Sequence, residues 1–379
     1  MRVVYPATEL GLYLASLFKS LYEHDRLLRR MLIGLAGKNI RRAMEIFLEF
    51  CKSGHIGTQE YLKIKTFRGN YALPYSVVVR VLLRSSRRFY EGDSSNVKNV
   101  FQCNPDDVCP DHFVRFAILT WLRDHLHEIG PIGVQGFHRA TQIIQELLPF
   151  GYDAMRVREE LQYLARATCI LTEHQRTDHV NDGDLVSISP AGYAHLSLVS
   201  NYDYLAAIAE DTWVDDQQLA RLVAHRIGRF GRKGHFQRET TRANAMDFVE
   251  YLRRRCNEHF PQGDGAVNCG ENFVQVAISE LYDQVGGAVA RERSRDPWIT
   301  VQERFSQGQA YDGTVVRIEE YGVFVCLGRG ITGLLHVSEL TQDVSIAAVQ
   351  MGDKLRVEIV AIDQDRRRMS LRLAGGTDS

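Results

Sequence analysis

The sequence has no apolar run that approaches the ~18 residues a membrane-spanning helix requires. Its first residues also lack the basic stretch followed by an apolar core that marks a secretion signal. Seven cysteines are present, an odd number, and they are spread along the chain rather than grouped as a disulfide framework. These absences predict a protein with no membrane partner, located in the reducing cytoplasm.

Motifs of catalysis and of cofactor binding are also missing. No phosphate-binding loop of the form G-x-x-x-x-G-K-[ST] occurs, because Gly34 and Gly37 are too close together and Lys38 is followed by asparagine rather than a hydroxyl residue. No G-x-S-x-G nucleophile motif occurs either. We therefore expect a protein that is not an enzyme, needs no cofactor and does not hydrolyse ATP by itself.

A metal site has one weak candidate in the sequence. Cys103, Cys109 and His112 lie close together, as zinc ligands often do. A structural zinc ion needs four ligands, and no second close pair of Cys or His completes the set. We expect no metal.

Positive charge is concentrated in two segments, although the formal net charge of the chain is -1. Residues 29–98 contain fourteen Lys and Arg against five Asp and Glu, and residues 219–255 contain ten against three. Such patches favour contact with a polyanion or with an acidic protein surface, but solvated helix faces carry similar runs. Both interpretations stay open.

Residues 303–374 carry the most informative pattern of the chain. Apolar and polar residues alternate over 314–318, 323–327 and 355–362, with glycines between the runs, which predicts short strands in a small closed barrel. The glycine, aromatic, histidine and arginine positions of the pattern are Gly313, Tyr321, Gly322, Phe324, His336 and Arg368. Their spacing resembles the S1-type RNA-binding domain, which implies a five-stranded OB-fold that binds RNA.

The candidate binding residues of this barrel are rings and cations. Tyr321 and Phe324 flank Gly322, so two rings can rise from one strand and leave room for a base, and His336 can stack or donate to a phosphate. The S1 resemblance implies that Asp363, Arg366, Arg367 and Arg368 line the same face. The alternative is that the two rings pack inside the barrel and the arginines form a solvated turn.

The net charge of the barrel segment limits what electrostatics can contribute to binding. Residues 303–373 contain nine Lys and Arg and ten Asp and Glu, so the segment has no excess positive charge. Phosphate contacts supply much of the affinity of nucleic-acid-binding proteins. We therefore expect a modest affinity for RNA.

Residues 1–65 are predicted to form a helical, lid-like bundle. Residues 37–47 read Gly-Lys-Asn-Ile-Arg-Arg-Ala-Met-Glu-Ile-Phe. They resemble the lid of AAA+ and STAND-like ATPases, in which an arginine of this helix senses the nucleotide. The resemblance implies that Arg41 is a nucleotide sensor and that the chain is the carboxy-terminal part of a larger ATPase. The alternative is an amphipathic helical bundle unrelated to ATPases.

Residues 66–212 are predicted to form a winged-helix domain with a preceding helical segment. Helices over 113–127, 136–148 and 153–167 are followed by strands over 169–172 and 185–188. DNA-reading winged helices carry cations on the third helix, where Arg156 and Arg158 are the candidates for a secondary nucleic-acid contact. Glu159 and Glu160 adjoin them, so a role as a spacer or a protein-docking module competes with duplex binding.

Residues 213–297 are predicted to form a second helical domain with a basic loop. The stretch 228–236 combines glycines, cations and aromatic residues, a composition that suits contact with phosphates and bases. Arg229, Arg232 and Lys233 are its candidate contacts. The alternative is an exposed turn between helices, and residues 290–297 are the predicted linker to the barrel.

These segments predict a multi-domain protein, mainly α, with a winged helix in the middle and a C-terminal five-stranded β-barrel of the OB-fold. The predicted function is binding of single-stranded RNA on the barrel, with a larger ATPase or another protein complex as a further partner. Two alternatives stay open, a regulator that binds duplex DNA through the winged helix and a scaffold for protein interaction.

Overall fold

The computed structural model describes most of the chain in two compact units, Met1–Gly286 and Gly287–Ser379. The described residues are 7–22, 26–37, 39–56, 58–107, 110–131, 133–174, 179–233, 238–259, 272–295, 297–298, 300–328, 330–339, 349–364 and 368–374. Along these residues the first unit is mainly helical and the second contains a five-stranded closed barrel. The predicted fold class is thereby confirmed at this level.

Short helices open the first unit. They are α1 (Ala7–Tyr22), α2 (Arg26–Ala36), α3 (Ile40–Lys52), α4 (Thr58–Thr66) and α5 (Tyr75–Arg84). Asn39 begins α3, because its side-chain oxygen accepts a hydrogen bond from the backbone N–H of Arg42 at 3.2 Å and so satisfies one of the donors that a helix start leaves open. Ile46 and Phe50 form the buried side of α3.

A small sheet with helices around it follows. Its elements are α6 (Val114–Asp124), β1 (His138–Arg139), α7 (Ala140–Leu147), the 3-10 turn η1 (Leu148–Phe150), α8 (Ala154–Arg166), β2 (Ile170–Thr172), β3 (Leu185–Ile188), α9 (Pro190–Val199) and α10 (Tyr202–Ile208). The sheet is antiparallel, with the order β1-β3-β2. Asp153 caps α8, accepting from the Arg156 N–H at 2.9 Å. The sequence predicts α6, α7, α8, β2 and β3 in this order, but it does not predict β1, which is too short to show alternation.

Helix α2 packs closely against α9 within the first unit. A Cβ on Gly34 would lie 2.6 Å from the carbonyl oxygen of Pro190, so only glycine permits this approach of the two helices. The first and the middle predicted segments thus contact each other directly. The predicted boundaries within residues 1–286 stay predictions.

Long helices follow, the last of which continues past Gly286, and they correct two predictions. They are α11 (Gln217–Lys233), α12 (Arg238–His259) and α13 (Phe273–Arg295). The predicted basic loop is helical through Lys233, because buried Leu219 and Val223 anchor α11 and one glycine costs a helix only about 1 kcal/mol. The predicted linker is helical through Arg295, because Ala, Arg and Glu are strong helix formers.

The second unit contains the barrel. After the short helix α14 (Val301–Arg304) come β4 (Ala310–Glu319), β5 (Gly322–Gly328), β6 (Ile331–His336), the 3-10 turn η2 (Val337–Glu339), β7 (Lys354–Asp363) and β8 (Arg368–Leu373). The strands close in the order β4-β5-β6-β8-β7. Only the β6–β8 pair is parallel, and the other four pairs are antiparallel.

The barrel interior is filled by inward-facing aliphatic side chains. Its fully buried members include Val323, Val325, Ile331, Leu335, Val357 and Ile359. Burial of each such side chain contributes about 1.5–3 kcal/mol to folding. Gly333 lets β6 approach β8, since a Cβ there would lie 2.6 Å from the Leu371 side chain. Trp298, Val301 and Phe305 join this core from the segment that precedes β4.

Candidate nucleic-acid interface

A β-bulge decides which side chains share the outer face of β4 and β5. Val315 pairs with Val325, but the next pair joins Arg317 to Phe324, so Val316 is an extra residue in β4. Without the bulge, alternation would direct Arg317 into the barrel after Val315. With it, Arg317 and Phe324 lie opposite each other on the outside.

The two predicted rings lie outside the barrel core. Tyr321 is 47% exposed and Phe324 is half-buried, whereas Val323 and Val325, on either side of Phe324, are fully buried. The ring centroids of Tyr321 and Phe324 are 6.3 Å apart with an interplanar angle of 86°. Both rings therefore retain surface on which a base can stack.

Gly322 allows β5 and β6 to approach each other beneath the rings. A Cβ at this position would lie 2.5 Å from the carbonyl oxygen of Leu335 and 3.0 Å from the Cα of His336. Gly322 pairs with His336 across the two strands. His336 is therefore the cross-strand partner of the glycine that follows Tyr321.

His336 presents a hydrogen-bond donor to solvent. The backbone N–H of Ser338 donates to its Nδ1 at 3.2 Å, and the hydroxyl of Ser338 lies 2.8 Å from the same nitrogen. An Nδ1 that accepts from a backbone N–H carries no proton, so the neutral ring holds its proton on Nε2. The exposed ring can then donate from Nε2 to a phosphate or base oxygen.

Arg317 belongs to this face, although the sequence pattern did not single it out. Its guanidinium carbon lies 5.2 Å from the centroid of Phe324, in cation–π contact, and the side chain is 54% exposed. Glu319 accepts hydrogen bonds from Nε and Nη2 of Arg317. No pattern in the sequence could find Arg317, because the alternation of β4 shifts at an unmarked bulge.

The remaining barrel candidates lie where β7 and β8 meet. Asp363 pairs in register with Arg368, which is exposed on the outer face of β8. Ser370, on the same face of β8, pairs with Leu334, the neighbour of Phe324 on β6. Arg368 therefore lies two residues along β8 from Ser370, and β6 lies between β8 and the strand that carries Phe324. Arg366 and Arg367 lie outside the described residues.

The candidates on α8 are occupied by carboxylates. Arg156 contacts Asp107 at 3.2 Å and Glu160 at 2.9 Å. Arg158 donates to both carboxylate oxygens of Asp182, at 2.7 and 2.8 Å, and this hydrogen bonding lowers the pKa of Asp182. Both guanidinium groups are thus paired with carboxylates of the protein itself.

The other predicted contact residues lie on α11 and α3. Arg229, Arg232 and Lys233 belong to the last turns of α11, and their side chains lie outside the described residues. Arg41 is exposed in the first turn of α3. Within the described part of the chain no group of three or more His, Cys, Asp or Glu side chains could hold a metal ion. None of the described helices is long and apolar enough to cross a membrane.

The barrel sequence matches a known family over its whole length. The family model of the S1 RNA binding domain covers residues 304–373. The barrel is an S1 domain. The assignment agrees with the five-stranded closed topology and with the predicted resemblance. Nothing in this match concerns residues 1–303.

Ribosomal proteins are among the curated relatives of the S1 domain. Small ribosomal subunit protein bS1 of Mycolicibacterium smegmatis is 40% identical over 132 residues, covering 34% of this chain and 28% of that protein. The bS1 of Neisseria meningitidis serogroup B is 40% identical over 85 residues, covering 21% and 15%. The chain thus spans less than a third of the length of these relatives.

Among solved structures, the a/eIF2alpha-aDim2p-rRNA complex from Pyrococcus horikoshii contains a chain that is 25% identical. The similarity covers 18% of this chain and 44% of that one, with a TM-score of 0.17. Uncharacterized protein MJ1198 from Methanocaldococcus jannaschii is 26% identical, with 18% and 93% covered and a TM-score of 0.18. Each of these similarities is confined to 18% of the chain.

Proposed function

We propose that the chain binds single-stranded RNA on the outer face of its S1 domain. The observation that carries the proposal is the pair of rings, Tyr321 and Phe324, outside the barrel core and beside the exposed His336. Stacking of bases on exposed rings is the usual way in which OB barrels hold a single strand. The named bS1 relatives are ribosomal proteins, which accords with an RNA ligand.

Each predicted residue has a distinct role in this proposal. Tyr321 and Phe324 stack bases, the Nε2–H of His336 donates to a phosphate or base oxygen, and Arg368 contributes positive charge from β8. Arg366 and Arg367, which precede Arg368 in the sequence, extend that charge, and Asp363 accepts a hydrogen bond from a base or a ribose hydroxyl. Because the barrel has no excess positive charge, stacking rather than phosphate attraction supplies most of the affinity.

The test is fluorescence anisotropy of the full chain with a labelled oligouridine of about 12 nucleotides, within the site size of one OB-fold. Phe324→Ala and Tyr321→Ala are each expected to weaken binding about tenfold or more, because one stacked base is worth about 1–3 kcal/mol. Val360→Ala is the matched control, since Val360 is an exposed apolar residue of β7, a strand that does not adjoin β5.

Two outcomes would contradict this proposal. One is a wild-type chain that does not bind the oligonucleotide at low salt. The other is binding that Phe324→Ala, Tyr321→Ala and Val360→Ala leave equally unchanged. The second outcome would favour a protein-interaction role for the barrel if the wild-type signal came from residues 1–286.

We also propose that the helical first unit connects this RNA-binding domain to a larger ATPase-like switch. The support is the resemblance of residues 37–47 to an ATPase lid, together with the Asn39 cap and the exposed Arg41 at the start of α3. A cytoplasmic setting belongs to the same proposal. Arg41→Ala is expected to leave oligouridine binding unchanged and to alter only nucleotide-dependent behaviour of an assembled complex.

A duplex-DNA regulator is the less favoured candidate. The order α6-β1-α7-α8-β2-β3 with its antiparallel sheet supports assignment of a winged helix. A winged helix that binds duplex DNA needs free cations on its third helix, here α8. On that helix the mostly buried Arg156 pairs with Asp107 and Glu160, and Arg158 pairs with Asp182, which favours a spacer or protein-docking role.

A further inference from the structure

Arg317 and Glu319 form an ion pair on the face proposed to bind RNA. The guanidinium of Arg317 is held from one side by the ring of Phe324 and from another by the carboxylate of Glu319. Glu319 is 33% exposed, so water reaches both members of the pair. A planar guanidinium that is held in one orientation and exposes N–H donors to solvent is well suited to bind a phosphate.

Glu319 lies in the row of the barrel face that contains His336. It pairs with Gly322 on β5, and Gly322 pairs with His336 on β6. Gly322, which pairs with both residues, contributes no side chain to this row. A strand that stacks on Tyr321 and Phe324 would bring its phosphates close to this carboxylate, which would repel them.

We propose that Arg317 is a further phosphate-binding residue of the S1 domain and that Glu319 limits RNA affinity by competing with phosphate for its guanidinium. This inference rests on the proposed function, because it concerns the same face. An incoming phosphate displaces the carboxylate, and Arg317 turns from an intramolecular partner to the RNA while it keeps contact with Phe324. Exposed ion pairs of this kind are weak, so the exchange is easily reached at low salt.

The inference predicts a substitution that strengthens binding. Glu319→Gln removes the competing charge and is expected to tighten oligouridine binding about fivefold, the order of one exposed ion pair. Glu320→Gln is the matched control, since it changes the net charge equally one residue away.

Arg317→Met completes the design. It is expected to weaken binding about fivefold. When Arg317→Met is combined with Glu319→Gln or with Glu320→Gln, the two double variants are expected to bind equally. Circular dichroism and thermal unfolding of every variant establish that the fold is retained, and both side chains lie outside the barrel core.

The outcomes separate the two proposals. If Phe324→Ala weakens binding but Glu319→Gln behaves as Glu320→Gln does, the RNA-binding face stands and the competition between Glu319 and phosphate is refuted. If Glu319→Gln still strengthens binding fully when Arg317 is methionine, the carboxylate acts by repulsion alone and the role of Arg317 is refuted. A wild-type chain without RNA affinity would overturn the proposed function itself.

Discussion

His336 shows how the role of one residue depends on neighbours that are close both in sequence and in space. Its position opposite Gly322 follows from the pairing of β5 with β6, and its tautomer follows from the Ser338 N–H. The sequence predicts the presence of an imidazole on this face. Only the structure shows that Nε2 is the donor, because Ser338 in the turn η2 contacts Nδ1.

At the residue scale, His336→Ala is expected to weaken oligouridine binding about tenfold, the order of one hydrogen bond to a charged group. The thermal stability of the chain should not change, because the ring is exposed and outside the barrel core. His179→Ala is the control, since His179 is exposed in the first unit. Anisotropy and thermal unfolding together check the prediction, and equal affinities of the two variants would contradict it.

Strand periodicity predicted the barrel well because the buried residues of its strands are apolar or glycine, and because glycines lie near the ends of several strands. The alternation of 323–327 corresponds to buried Val323 and Val325 in β5. It did not reveal Arg317, because the bulge at Val316 shifts the alternation by one residue without any marker. The lengths of α11 and α13 were underestimated, since charged residues and glycine suggested loops where helix propensity and buried neighbours prevailed.

At the element scale, one substitution made at two glycines should have opposite effects. Gly322→Ala is expected to destabilise the barrel by about 1–3 kcal/mol, because the new Cβ meets backbone atoms of β6 that can move only if the strands separate. Gly228→Ala in α11 is expected to stabilise its helix by up to about 1 kcal/mol, because Gly228 is exposed with nothing within 4 Å of a Cβ.

Hydrogen exchange of the two variants distinguishes these effects. Amides of β5 and β6 should exchange faster in Gly322→Ala, and amides of α11 should exchange more slowly in Gly228→Ala. Unchanged exchange in β5 and β6 would show that the close approach at Gly322 is not needed for barrel stability.

Over the whole molecule, the fold class and the barrel followed from local patterns, whereas contacts between distant segments did not. The pairing of Arg158 with Asp182 joins residues 24 positions apart, so the sequence around α8 did not show it. A cation that is a candidate contact from the sequence can therefore already be paired in the fold. The same limitation applies to buried histidines of the first unit, whose surroundings come from several helices and loops.

His195 predicts how the stability of the first unit depends on pH. It is buried, accepts a hydrogen bond from the Lys98 N–H at 2.7 Å, and lies with Nδ1 2.7 Å from the Ala191 carbonyl oxygen. Burial lowers its pKa from 6.5 to about 4. The folded ring is therefore neutral where the unfolded ring binds a proton, so stability is complete above pH 6.5 and is lost as the pH falls toward 4.

Thermal unfolding followed by circular dichroism at 222 nm, which reports on the helical first unit, checks this dependence. The midpoint should be lower at pH 5 than at pH 7, because the free energy of unfolding falls by about 2 kcal/mol between these pH values. His195→Asn should show a shallower dependence on pH, although it is less stable at pH 7. A midpoint that stays constant or rises on acidification would contradict the assignment.

The most direct test of the RNA-binding face is ultraviolet crosslinking of the full chain to oligouridine, followed by mass spectrometry of the crosslinked peptides. We expect crosslinks on the peptides that contain Tyr321, Phe324 and His336, and their loss in Phe324→Ala. Crosslinks confined to residues 1–286, with none on β5 or β6, would contradict the account.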